Sequence, residues 1–381
     1  MTDLRGNIAI VGTAESDLGE VAPEMSPVDL MAQGTVRALD DCGLSLKDVD
    51  GLFVAASQTR MAAMSLAEYL GIQPSYFDST QIGGSSFMAH LTHAQAAIAA
   101  GLCETVVVAY GSTQRTIGRA TASAREPNPY EDPYKPMMPP SAYAMAASRH
   151  MHEFGTTREQ LAQVAVSARE WAKLNPKSFM TDDLTIEDVL NARMVSHPFT
   201  VRDCCLVTDG GGAIVLTTPE RAKDLKRKPA YVLGTGETIT HAMISQMPDL
   251  TTSGAATSGP IAYKRAGVKP ADIDVLALYD AFTINVLLFL EDLGFCKKGE
   301  AGSFVEGGRI GPGGELAVNT SGGGLSYCHP GMYGLLVQIE AARQIQGVCG
   351  DRLLDGGELT LARGNGGVLS SQCTVILGSE A

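Results

Sequence analysis

The run Gly43-Leu-Ser-Leu-Lys-Asp48-Val49-Asp50-Gly-Leu52-Phe-Val54 recurs later in the same chain as Gly267-Val-Lys-Pro-Ala-Asp272-Ile273-Asp274-Val-Leu276-Ala-Leu278. Glycine, aspartate, an apolar residue, aspartate and leucine keep one register in both copies, and each copy leads into an apolar run. Self-similarity at this separation indicates one structural unit used twice. Each half also offers a glycine turn that opens a helix, so the chain is expected to be an internal duplication.

The unit itself is α/β. Short apolar runs at 7–12, 51–56, 104–110, 209–216 and 230–234 have the form of buried strands, while 26–41, 61–70 and 87–100 have helical spacing, the first opened by Ser26-Pro27. Strands alternating with helices predict a parallel or mixed sheet covered on both faces. The pattern breaks between 112 and 199: a proline- and charge-rich stretch at 125–140 is followed by helical segments at 141–154, 158–174 and 182–192. This is read as an inserted loop domain lying over the sheet, either a cover that shapes a long substrate site or a stabilising insertion. The expected division is 1–111 with 200–228 as the first half, 112–199 as the insertion and 229–381 as the second half. With 381 residues, 45% of them hydrophobic, the chain can bury a large core.

A net charge of -13 argues against a nucleic-acid partner, which would need clustered Lys and Arg. No apolar run reaches membrane-span length, and Met1-Thr2-Asp3-Leu4-Arg5-Gly6 lacks a signal-peptide pattern, so a cytoplasmic protein is expected. The eight cysteines form no Cys-x-x-Cys pair and are read as reduced. His90 and His93 could share a helix face but have no acidic ligand nearby in sequence, and no metal site is expected.

The chemistry is placed on Asn319-Thr320-Ser321-Gly322-Gly323-Gly324-Leu325-Ser326-Tyr327-Cys328-His329-Pro330-Gly331-Met332-Tyr333-Gly334. Three glycines permit close approach to a ligand or positive φ, and Pro330 can open a helix carrying Leu335, Leu336, Ile339 and Ala342. A loop presenting Tyr, Cys and His at a helix N-terminus combines donors, titratable groups and a positive dipole end. The plainer alternative is a tight turn with a satisfied histidine.

These residues resemble the thiolase superfamily, most closely its sterol-carrier type. Likeness extends over nearly the whole chain: His150-Met-His-Glu-Phe-Gly155, Ser196-His197-Pro198-Phe199 with Asp203-Cys204-Cys205, Asp209-Gly210-Gly211-Gly212-Ala213, Tyr279-Asp280-Ala281-Phe282 and the His329-Pro330 loop. The resemblance implies two duplicated βαβαβαββ halves in a five-layered αβαβα arrangement. It also shows what has been lost. Gly84 stands where thiolases keep their acylated cysteine, Gly364-Asn365-Gly366-Gly367 replaces the C-terminal Cys-x-Gly-Gly turn, and Tyr279-Asp280-Ala281-Phe282 replaces His-Asp-Cys-Phe. His329 of the family's Gly-His-Pro motif remains and implies an oxyanion donor.

Without a nucleophile, a thioester enolate can still be reached by retro-aldol cleavage of a β-hydroxyacyl-CoA, which needs a base, an enolate cradle and an acid. The chain looks like the thiolase-fold aldolases that shorten steroid side chains with two tyrosines. The expected catalytic set is therefore Tyr279, Tyr327 and His329: one tyrosine as base, the other as proton donor, the histidine holding the thioester oxygen. Tyr333 is a further candidate, and Asp280 an orienting group. The resemblance also implies no covalently bound cofactor, coenzyme A as part of the substrate near Ser253, Gly254 and Ser258, and a homodimer core joined by a small zinc-ribbon/OB-fold protein. The rival readings are an acyltransferase using Cys328 as a displaced nucleophile, and a non-catalytic acyl-CoA-binding subunit.

Overall fold

The computed structural model describes residues 4–118 and 128–381; the first three residues and the beginning of the proline-rich stretch, Arg125 included, lie outside them. Among the described residues ten strands are joined in the main sheet, apart from a short antiparallel pair at Met194–Ser196 and Phe199–Thr200: β1 (Ala9–Glu15), β2 (Gly51–Val54), β3 (Tyr76–Asp78), β4 (Val106–Ser112), β5 (Gly210–Thr217), β6 (Ala230–Ile239), β7 (Val275–Leu278), β8 (Ala317–Val318), β9 (Leu359–Gly366) and β10 (Ser371–Gly378). Their spatial order is β8-β7-β9-β10-β6-β1-β5-β4-β2-β3. Outward from the middle, β1-β5-β4-β2-β3 and β6-β10-β9-β7-β8 trace the same path. The repeated run read in the sequence thus leads into β2 in one half and β7 in the other. The halves join where Ala9 faces Tyr231 and Ile10 faces Ala230.

The helices follow from local rules. In α1 (Pro27–Cys42), Ser26 caps the Asp29 N–H while the Asp29 carboxylate takes the Ser26 N–H, and Gly43 ends the helix at φ 80°. It lies on β1, β4 and β5. The approach is close: a Cβ on Gly34 would stand 2.6 Å from the carbonyl carbon of Gly212. After α2 (Ala62–Leu70), α3 (Ser86–Ala99) packs against β6, β9 and β10 of the other half. From the insertion come α4 (Pro140–Phe154) and α5 (Arg158–Lys173). In the second half, α6 (Ala255–Ala266) covers β6 and β10, α7 (Thr283–Asp292) contacts α4, α5 and α6, and α8 (Gly334–Gln346) lies against α3, β1, β5, β7 and β9. With α3 and α8 between the strands of the two halves and α1 and α6 outside them, the expected five layers are present.

The third helical segment of the insertion is a short helix, as expected, and spans Ile186–Leu190. One expectation changes, because Pro330 does not open a helix: α8 begins only at Gly334, and the preceding Gly323–Tyr327 forms one turn of π-helix entered through Gly322 at φ 99° and Gly323 at φ 64°. Among the described residues no helix is long and apolar enough to cross a membrane.

Candidate active site

Tyr279 leaves the carboxyl end of β7, Gly84 precedes the first turn of α3, and the 319–334 loop returns between them. Together with Tyr143, Cys205 and Asn365 they wall a cavity of about 130 Å³. That is roughly four water volumes.

The Tyr279 ring fills the space above Gly84. A Cβ at position 84 would stand 2.1 Å from Tyr279 Cε2 and 2.6 Å from the Asn365 carbonyl oxygen, so no side chain can coexist there with this ring. The phenol is held at both ends of its hydrogen-bonding capacity, donating to the Gly331 carbonyl at 3.1 Å and accepting the Tyr333 N–H at 3.1 Å. Burial pushes its pKa well above the usual tyrosine value, so it is neutral at working pH.

His329 stands perpendicular to that ring, centroids 5.4 Å apart, with Tyr333 stacked at 5.8 Å. Burial lowers its pKa to about 4, leaving a neutral imidazole at pH 7. Both ring nitrogens are buried without a partner among the described residues. Such an orphan is costly unless a ligand completes it. The backbone, by contrast, is pinned: the His329 N–H donates to Thr208 Oγ1 at 3.0 Å and its carbonyl accepts the Thr208 N–H at 3.3 Å.

Asp280 braces the loop from below. Its carboxylate accepts the Gly324 N–H at 2.6 Å and the Leu325 N–H at 3.3 Å, and a Cβ on Gly323 would meet Oδ2 at 2.0 Å. Burial raises its pKa to about 7 against those bonds. The insertion grips the loop from the other side: Asn175 Nδ2 donates to the Ser321 carbonyl, the Phe179 and Met180 N–H groups to the Tyr327 and Ser326 carbonyls, and Arg169 Nε to Ser326 Oγ.

Comparison with known proteins supports what this geometry suggests. Residues 236–379 match the family described as thiolase C-terminal domain-like. A 17-hydroxy-3-oxo-4-pregnene-20-carboxyl-CoA lyase of Mycobacterium tuberculosis is 36% identical, covering 90% of this chain and 92% of its own. An acetyl-CoA acetyltransferase of Methanothermobacter thermautotrophicus is 30% identical over 95% and 96%, and a steroid side-chain-cleaving aldolase of Thermomonospora curvata 33% over the full length of both. The solved structure of an Ltp2-ChsH2(DUF35) aldolase overlays with a TM-score of 0.87 at 30% identity, covering 98% of each chain. The chain belongs to the thiolase superfamily. Within that superfamily it stands with the carbon–carbon lyases, the aldolase branch.

As a thiolase-fold protein it departs from three expectations. Tyr327 does not face the cavity: its hydroxyl donates to Glu15 Oε1 at 2.9 Å, because that buried carboxylate offers a charge-assisted partner. Glu15 is in turn held by Lys177 at 2.7 Å and by Arg343, whose Nη2 lies 2.8 Å from Oε2. Burial alone would raise the Glu15 pKa, but these cations hold it well below the carboxylate range. Cys328, the nucleophile of the rival acyltransferase reading, does not line the cavity either. It is fully buried, and burial reinforced by the Glu15 charge pushes its thiol far up, which disfavours the thiolate a nucleophile requires. The proposed coenzyme A residues are also committed elsewhere. Ser253 gives both its hydroxyl and its N–H to Asp292 at 2.7 Å, Ser258 shares a 3.0 Å bond with Thr374, and a Cβ on Gly254 would come within 2.5 Å of Thr238. All three are buried at the start of α6.

Tyr333 bonds Ser321 at 3.2 Å and supports His329 through its ring. A larger cavity of about 420 Å³ adjoins Lys177, Arg227, Arg343 and Arg352, but each of these cations already faces a carboxylate. Sequence reasoning missed Tyr143, Asn365 and Cys205. Asn365 had a signal, standing alone among glycines in the turn that replaces a catalytic motif.

Proposed function

We propose that this chain cleaves β-hydroxyacyl-CoA thioesters by a retro-aldol reaction, giving a ketone or aldehyde and a shorter acyl-CoA, with a steroid side-chain ester as the candidate substrate. The observation that carries the reading is the Tyr279 ring over Gly84. A cleavage through an acyl-enzyme needs a nucleophile at that place, and the ring excludes every side chain from it. What the cavity retains suits scission by proton transfer and charge stabilisation alone. The names of the lyase and aldolase relatives support the same class and the CoA ester.

Roles follow from the positions. The neutral His329 imidazole donates its N–H to the thioester oxygen, where enolate charge develops. In one concerted step the β-hydroxyl proton passes to the Tyr279 oxygen, the bond between the α- and β-carbons breaks with its electron pair moving to the α-carbon, and the Tyr279 hydroxyl proton goes to that carbon. Because the two transfers are concerted the phenol stays neutral throughout, as its raised pKa requires. This shuttle replaces the two-tyrosine scheme, since Tyr327 faces Glu15.

The insertion at 112–199 serves as the cover that holds the catalytic loop. A homodimer core working with a small zinc-ribbon/OB-fold protein, which would carry the zinc, completes the proposal; the similar aldolase, whose name pairs Ltp2 with ChsH2(DUF35), supports a partner of some kind. To test the reaction, the chain, with and without such a partner, is given a β-hydroxyacyl-CoA and both products are followed by mass spectrometry. Tyr279→Phe is expected to slow release by about 10³-fold, within the range for general acid–base groups. Unimpaired cleavage by that variant, or an isolable acyl-enzyme, would overturn the reading.

A further inference from the structure

A second phenol lines the same cavity. Tyr143, on α4 of the insertion, is fully buried, and its ring stacks on Phe282 with centroids 4.5 Å apart. Its oxygen accepts a 2.8 Å bond from Asn365 Nδ2, while its own proton is directed to the Gly367 carbonyl at 3.2 Å. That last bond is long for a hydroxyl donor. It is therefore weak enough to be exchanged for a substrate oxygen.

The bonds behind Tyr143 all point one way. Arg363 is wholly buried, its guanidinium 4.5 Å over the Phe289 ring, and it donates through Nη2 to Gln372 Oε1. A guanidinium can only donate, so the Gln372 amide must turn its Nε2 toward Asn365 Oδ1, at 2.6 Å, and the Asn365 amide must then turn Nδ2 toward the phenol. Burial lowers the Arg363 pKa only to about 10, so it remains a cation at neutral pH. A chain of bonds that begins at a buried cation and ends on a hydroxyl oxygen polarises that O–H and makes it a stronger donor. Burial meanwhile holds the Tyr143 pKa at about 12, so the proton stays in place.

We infer that Tyr143 is a further catalytic residue, the donor to the substrate's β-oxygen, sharpened for that task by the Arg363–Gln372–Asn365 chain. This rests on the retro-aldol reading, in which His329 takes the thioester oxygen and Tyr279 the α-carbon; the β-oxygen is the one reacting atom left without a fixed donor. Negative charge builds there as its proton departs, and a preorganised donor in a dry cavity is most effective where charge develops.

The test pairs cleavage with binding. Wild type, Tyr143→Phe and Asn365→Ala, each checked by thermal melting, are assayed for β-hydroxyacyl-CoA cleavage. The same proteins are titrated calorimetrically with a β-ketoacyl-CoA, which presents a β-oxygen but has no hydroxyl proton to lose, and with the saturated acyl-CoA of equal length. Tyr143→Phe is expected to lose about 10²-fold in cleavage and about tenfold in affinity for the β-keto ester, with affinity for the saturated ester changed less than about twofold. Asn365→Ala, which keeps the phenol but cuts its relay, falls between. Wild-type cleavage in Tyr143→Phe, or equal weakening toward both esters, overturns the assignment. A wild-type protein that cleaves no β-hydroxyacyl-CoA sinks the retro-aldol reading instead, and the binding arm still shows whether Tyr143 reads the β-oxygen.

Discussion

Two side chains of one loop, Tyr327 and His329, stand two residues apart and meet opposite fates. On the outer face the Tyr327 hydroxyl bonds Glu15, itself bound by Lys177 and Arg343. On the inner face both His329 nitrogens are buried without partners among the described residues. Both residues are polar, buried and on the same loop. The difference separates a polar group that secures the fold from one held open for a ligand, since a buried polar group without a protein partner costs about 1–3 kcal/mol until a ligand supplies one.

The contrast can be broken most sharply at His329. His329→Ala is expected to reduce kcat by about 10²- to 10³-fold while leaving the thermal midpoint nearly unchanged or raised, because an unsatisfied group has been removed. Stopped assays with a melting curve check it, and a large loss of stability with little loss of rate would reverse the two faces. Glu15→Gln should do the opposite. Breaking a buried ion pair costs about 3–5 kcal/mol, read from denaturant unfolding, with the rate of the remaining folded enzyme within several-fold of wild type.

Gly84→Ala probes the boundary between the faces. Its methyl must displace the Tyr279 ring, so a destabilisation of about 1–3 kcal/mol should accompany loss of cleavage. Tyr327→Phe is milder, about 1 kcal/mol in stability and a near-normal rate; a rate defect as large as that of Tyr279→Phe would restore it to the chemistry.

The smallest effect is the pH response. The folded pKa of His329, about 4, lies below the ordinary histidine value, so the unfolded chain takes the proton first. This group's contribution to stability therefore declines as pH falls from about 6.5 to about 4, and an acid limb in kcat/KM, which reports the free enzyme, belongs near 4 if the neutral imidazole is required. His329→Asn should remove that portion of the stability slope.

Much of the fold was legible because it is written twice: the Asp48/Asp272 and Leu52/Leu276 register leads into β2 and β7, which hold equivalent places in the two halves. Gly84 and Tyr279 were legible as replacements, although only the fold shows that one vacated the space the other fills. The direction of Tyr327 was not legible, since a single π-turn sets it and no periodicity reports such a turn. Ser253 and Ser258 were placed near coenzyme A by resemblance because linear text does not show Asp292 and Thr374 beneath them. Tyr143 read only as part of the helical segment 141–154, and it reaches Asn365 only through the packing of the insertion onto the second half.

The glycine beneath the Tyr279 ring also constrains ancestry. A lineage leaving sulfur chemistry had to surrender the side chain at position 84 before, or together with, acquiring an aromatic ring at 279, since the reverse order passes through a collision. Return is constrained in the same manner: a cysteine at 84 meets the ring, so residue 279 has to shrink before, or together with, the restoration of a side chain at 84, and neither chemistry can be reached from the other by a single substitution at 84 or 279 alone.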